Sequence, residues 1–77
     1  MRSYSFTAAL EQDEDGRWSA WIGRLPGCSA WGNTREEALD ALRDATQAYI
    51  LDMIDADEPV PREKPEPGGD SLVTVRV

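Results

Sequence analysis

Gly32-Asn33-Thr34-Arg35-Glu36-Glu37-Ala38 divides the chain into two kinds of backbone. Before it, apolar residues recur at every second position; after it, they recur at every third or fourth. Thr34 followed three residues later by Glu37 has the form of a capping box, in which side chains satisfy the orphan N–H groups of a helix start. Beyond it, Ala38, Leu42, Ala45, Tyr49 and Met53, flanked by Leu39 and Ile50, fall on one stripe at about 100° per residue. Thr46 lies inside that stripe. Glu36, Glu37, Asp40, Asp44 and Asp55 lie outside it, and Leu51 sits opposite it among the acids. The spacing predicts a helix over residues 35 to about 56.

Upstream, Tyr4, Phe6, Ala8 and Leu10 alternate with Ser3, Ser5, Thr7, Ala9 and Glu11, which predicts a half-buried strand. Residues 12–16 read as a hairpin loop closed by Gly16, because glycine tolerates positive φ. Residues 17–23 alternate again and place Trp18, Ala20 and Ile22 on the Phe6/Leu10 side of a regular hairpin. Leu25-Pro26-Gly27 breaks the pattern, since proline cannot donate to a ladder and glycine permits a bend. Residues 28–32 read as a short third strand.

Downstream, residues 57–70 hold Pro59, Pro61, Pro65, Pro67, Gly68 and Gly69 and read as an extended connector. Residues 72–77 alternate once more, Val73, Val75 and Val77 against Leu72, Thr74 and Arg76. The order is β-β-β-α-β, an α+β fold in one domain over residues 1–77. The simplest assembly is a four-stranded sheet with the helix on its Phe6/Leu10/Trp18/Ile22 face and nothing on the other. If the last strand lies parallel to a neighbour, the helical crossover into it should be right-handed.

A chain of 77 residues hides a smaller share of its surface than a larger one, so assembly with another chain is an attractive source of burial. Fifteen acidic residues against eight basic ones give a formal charge of −7, which repels phosphate backbones and disfavours direct nucleic-acid binding. A basic protein partner suits that charge. Cys28 is the single cysteine, which excludes an internal disulfide and fits a reducing compartment. There is no signal-like apolar segment, and no run approaches the ~18 apolar residues of a membrane span. The plain expectation is a soluble cytoplasmic module.

Little in the chain points to catalysis. Serine- or cysteine-type nucleophiles need a base held against them, usually histidine, and the chain has none. Cys28 has no adjacent cation cluster to activate it and reads as a small buried residue. Glu11, Asp13, Asp15 and Gly16 match the start of a calcium loop, but Ile22 stands where the bidentate glutamate belongs. The first strand lacks the converging carboxylates of a two-metal nuclease. No cofactor or metal is expected. Aromatic placement is more informative: Trp18 belongs to the core side, whereas Trp21 points to the free face. Trp31 reaches that face too if Cys28 and Ala30 point inward. Exposed tryptophans mark contacts, so Trp21 and Trp31 are candidate interface residues. Asp40 and Asp44, a like-charged i,i+4 pair that a basic partner would relieve, are further candidates together with Leu51.

Asp15-Gly16, Trp18, Ala20, Leu25-Pro26-Gly27-Cys28, Gly32, Thr34, Glu36-Glu37-Ala38 and Tyr49 together resemble the HicB antitoxin family, from Tyr4 to about Pro61. The resemblance implies a partial RNase H-like fold of order β-β-β-α-β, without that fold's nuclease carboxylates. It implies binding: HicB proteins inhibit HicA, a small basic toxin that cleaves messenger RNA with a catalytic histidine. Pro26, Gly27, Cys28, Gly32, Thr34 and Glu37 carry over as residues that shape the turn, the passage from sheet to helix and the cap. Gly23 and Trp31 depart from the family pattern, which often has proline and a polar residue there. Many relatives bear a C-terminal DNA-binding domain; this chain ends at Val77, so DNA binding is not expected of it. The expected role is an antitoxin-like module for a HicA-like toxin. The alternative is a stand-alone homo-oligomer with no toxin.

Overall fold

The computed structural model describes residues 2–61 and 71–77. Its elements are β1 (Ser3–Gln12), β2 (Trp18–Ile22), β3 (Ser29–Gly32), α1 (Arg35–Asp55) and β4 (Ser71–Arg76). The strands form one sheet in the order β3-β2-β1-β4. Every neighbouring pair is antiparallel. The last strand therefore has no parallel neighbour, and the handedness rule for parallel crossovers does not apply. The predicted connector is described only as far as residue 61; positions 62–70 lie outside the described residues.

Alternation decides which face each strand buries. Tyr4, Phe6 and Ala8 of β1, Ala20 and Ile22 of β2, and Val73 and Val75 of β4 are buried, and α1 meets them with Ala38, Leu42, Thr46 and Ile50. Leu10 and Trp18, at one end of this face, are half-buried and pack against the core without being enclosed by it. Thr46 is polar and wholly buried; its hydroxyl donates to the Leu42 carbonyl at 2.6 Å and lies 3.4 Å from Cys28 Sγ. That satisfies a group whose burial would otherwise be unfavourable.

Two tight turns set the sheet. In the first, the Gly16 N–H donates to the Asp13 carbonyl at 3.0 Å, with Gly16 at φ +93°. In the second, the Cys28 N–H donates to the Leu25 carbonyl at 2.9 Å, with Gly27 at φ +82°. Proline followed by a positive-φ glycine is the chemistry of a type II turn. Leu25 is almost fully buried there, so the segment interrupts the strand yet still feeds the core.

The Thr34 hydroxyl accepts from the Glu37 N–H at 3.1 Å and caps α1. The Glu37 carboxylate reaches back to the Asn33 N–H at 2.8 Å, one residue earlier than in the reciprocal form of the box. At the other end Asp57 takes φ +58°, its N–H donates to the Ile54 carbonyl, and the Glu58 N–H donates to the Met53 carbonyl. This is a Schellman cap with aspartate where glycine is usual. Asp57→Gly should therefore raise stability by about 0.5–1 kcal/mol in urea unfolding, by relieving the left-handed conformation. No gain would mean that the Asp57 side chain compensates for it locally.

Candidate functional site

The described residues contain no group of three or more His, Cys, Asp or Glu placed to hold a metal ion. No helix among them is long and apolar enough to cross a membrane. An open groove of about 260 Å³ lies between β1 and the end of α1, lined by Arg2, Tyr4, Ile54, Asp57, Glu58 and Val60. The larger features are two exposed surfaces on opposite sides of the molecule.

The first is the outer face of the sheet. Trp21 is 37% exposed and Trp31 61% exposed. Trp21 stands opposite Ala9 and Ser29, and Trp31 opposite Ser19, so the two indoles are diagonal neighbours across β2 and β3. The Arg17 guanidinium lies 5.3 Å from the Trp31 ring centroid and pairs with Asp15 at 3.3 Å. Cation–π contact at an exposed site contributes about 0.5–1 kcal/mol, enough to orient Trp31 without hiding it. Leu72 of β4, opposite Thr7, belongs to the same face and is 51% exposed. Its phase was legible in the alternation of residues 72–77, but only the pairing of β4 with β1 brings it into line with the indoles.

The second surface is the outward side of α1. Asp40 and Asp44 are exposed, as is Leu51. Asp40 is not simply in conflict with Asp44, because the Arg43 guanidinium donates to its carboxylate at 3.1 Å. Ile54, also exposed, joins Leu51 one turn on. It drew no notice in sequence because it falls at the edge of the apolar stripe.

The shape-making residues lie between the two surfaces. Pro26 and Gly27 form the turn before β3, and the Pro26 carbonyl accepts from the Tyr49 hydroxyl at 2.9 Å, tying that turn to α1. Cys28 is buried. Gly32 ends β3 against the first turn of α1, where an added Cβ would stand 2.5 Å from the Ala38 nitrogen.

The HicB-like antitoxins of bacterial toxin–antitoxin systems match this chain over residues 6–67. A UPF0150 protein of Synechocystis is 38% identical over 78% of this chain and 76% of its own length. Another, from Thermoplasma acidophilum, is 36% identical over 79% of this chain and 88% of its own. Among solved structures, the N-terminal domain of Burkholderia pseudomallei antitoxin HicB superposes with a TM-score of 0.71 at 24% identity, covering 95% of this chain and 96% of that one. The longer Burkholderia HicB chain aligns with all of this chain but only 64% of itself, with a TM-score of 0.67 at 23% identity. A chain of the HicA3 and HicB3 toxin–antitoxin complex aligns with a TM-score of 0.61 at 18% identity over 97% of this chain and 96% of its own length. With this sheet order, this helix and a family match over most of its length, the chain belongs to the HicB-like antitoxins of bacterial toxin–antitoxin systems.

Proposed function

We propose that this chain acts as an antitoxin by binding a small basic RNase toxin of the HicA kind and covering its RNA-facing surface. The observation that supports this most directly is the charge of α1. Glu36, Asp40, Asp44, Asp52 and Asp55 lie exposed along it, and its last turn holds no basic residue. The carboxylates near its C-terminus thus add to the negative end of the helix dipole instead of offsetting it. That arrangement is unfavourable for the isolated helix and favourable opposite a cationic surface. Leu51 and Ile54 supply an apolar centre within the charged rim, as expected of a protein interface. The proposed contacts are Asp40, Asp44 and Leu51, with Asp52, Ile54 and Asp55 beside them. The role is binding without catalysis.

Co-expression with a small basic RNase of the HicA kind should yield a complex that weakens as salt rises. Asp44→Lys with Asp55→Lys should slow association roughly tenfold or more at low salt, leaving the melting temperature nearly unchanged. A complex indifferent to both salt and charge reversal would reject α1 as the contact.

A further inference from the structure

We propose that the groove beside the C-terminal end of α1, floored by Tyr49, Met53 and Ala56 and edged by Asp52 and Glu58, seats one arginine side chain of the basic partner. This deepens the antitoxin reading above and rests on it, because the arginine belongs to the toxin.

The helix and its cap build the groove together. Tyr49, Asp52, Met53 and Ala56 follow the i, i+3, i+4, i+7 spacing, so they share one flank of α1 and its C-cap. Glu58 lies beyond the helix, yet its N–H donates to the Met53 carbonyl at 2.8 Å after Asp57 turns the chain at φ +58°. The cap thereby holds Glu58 at the rim of the same groove. The Tyr49 hydroxyl donates to the Pro26 carbonyl at 2.9 Å, so the side chain is held in place and offers the groove its ring. Tyr49 and Met53 are half-buried, whereas Asp52 and Glu58 are exposed. An apolar floor is thus bordered by two carboxylates.

Charge selects a cation as occupant. Among the described residues neither Asp52 nor Glu58 has an ion-pair partner; the ion pairs are Arg17 with Asp15 and Arg43 with Asp40. The last turn of α1 holds no basic residue, so the negative end of the helix dipole adds to the two carboxylates. A metal ion is poorly served, because a ring, a thioether and a methyl supply few of the roughly six or more oxygens that calcium takes. The groove on the other side of the helix end has this chain's own Arg2 in its wall and draws a cation less strongly.

Size and shape narrow the choice to arginine. The groove encloses about 290 Å³, at the lower limit of the roughly 300–1,000 Å³ of small-molecule sites, which suits one side chain better than a cofactor. A guanidinium can stack its plane on the Tyr49 ring while its N–H groups fork toward carboxylates. An ammonium is more strongly hydrated and has no plane to stack. Asp52 also lies one turn before Asp55, so the groove opens beside the outward face of α1 and one partner can engage both.

Titration of the isotope-labelled full chain with N-acetyl-arginine amide, followed by backbone amide shifts, tests the site without toxin. Shifts should concentrate at Tyr49, Asp52, Met53, Ala56 and Glu58, with a dissociation constant on the order of 1–10 mM. The lysine amide should bind at least about threefold more weakly, and the uncharged citrulline amide should give no localised shift. Asp52→Asn with Glu58→Gln, isosteric and on exposed side chains, should weaken the arginine amide at least about tenfold. The same variant should weaken the complex with a small basic RNase of the HicA kind by a similar factor. Tyr49→Leu should cost about threefold in arginine affinity, and Tyr49→Phe, which keeps the ring, should restore it. Absence of localised shifts, lysine binding as tightly as arginine, or indifference of either complex to Asp52→Asn with Glu58→Gln would overturn the proposal. If the toxin complex responds to Asp44→Lys with Asp55→Lys but not to Asp52→Asn with Glu58→Gln, the groove fails and the α1 contact stands. If it ignores all four substitutions, both fall.

Discussion

Gly32→Ala should lower stability by about 3 kcal/mol, the largest effect expected of an added methyl at any of the described glycines. The reason is space, since only Gly16 and Gly27 among the described glycines adopt positive φ. An ideal Cβ at position 32 would stand 2.5 Å from the Ala38 nitrogen, 2.7 Å from Glu37 Cβ and 2.8 Å from the Glu37 carbonyl carbon. These are mostly backbone atoms, and they are committed. The Ala38 N–H donates to the Thr34 carbonyl at 3.0 Å, and the Glu37 N–H to the Thr34 hydroxyl at 3.1 Å. Moving the first turn away from β3 therefore breaks the cap and opens the Ala38 contact together. In thermal unfolding the loss corresponds to a drop of roughly 12–24 °C for a domain of this size. Gly23→Ala is the control, since an added Cβ there meets nothing within 4 Å. Should Gly32→Ala behave like that control, α1 is free to shift and the close approach is not a constraint.

Phe6→Ala should remove about 3–5 kcal/mol. Phe6 lies on β1, which has β2 on one side and β4 on the other, and it is 1% exposed in one cluster with Leu42, Ile50 and Val73. Truncation gives up the transfer energy of the ring and leaves a cavity in a cluster to which both α1 and β4 contribute, so collapse is restricted. A chain of this length has a total stability of only about 4–12 kcal/mol, so the variant should sit near the edge of folding at body temperature. Equilibrium unfolding in urea provides the measurement, with the slope unchanged if only the native state is affected. A loss below about 1 kcal/mol would mean that the helix settles onto the sheet and fills the space. Trp31→Ser, by contrast, alters a side chain that is already mostly in solvent and should lower the stability of the isolated protomer by about 1 kcal/mol or less, chiefly the lost contact with Arg17.

These two positions differ in how visible they were. Phe6 announces its burial through simple alternation with Ser5 and Thr7. Gly32 is marked in sequence only as a glycine before a cap; its role depends on how closely two consecutive elements pack, a distance that no local pattern encodes. Leu25 is a similar case, since it sits in a turn whose composition argues for exposure but is held in the core by the bonds that close the turn on either side of it. On the candidate surfaces, Trp21, Trp31 and Leu51 were legible because each falls out of phase with its apolar neighbours. Arg43 was not, because the side chain that reaches Asp40 could equally have extended into solvent.

By itself, then, the sequence determined the order of elements, the face each one buries, the place where strand gives way to helix and the bare side of the sheet. All of these follow from periodicity and capping, which act over a few residues. Only the tertiary structure decided that β1 lies between β2 and β4, that β4 runs antiparallel to it, and that Leu72 therefore completes a diagonal begun by Trp31 and Trp21. Strand order and register come from hydrogen-bonded pairing between distant parts of the chain, and the same alternating segments could satisfy their local patterns in several arrangements.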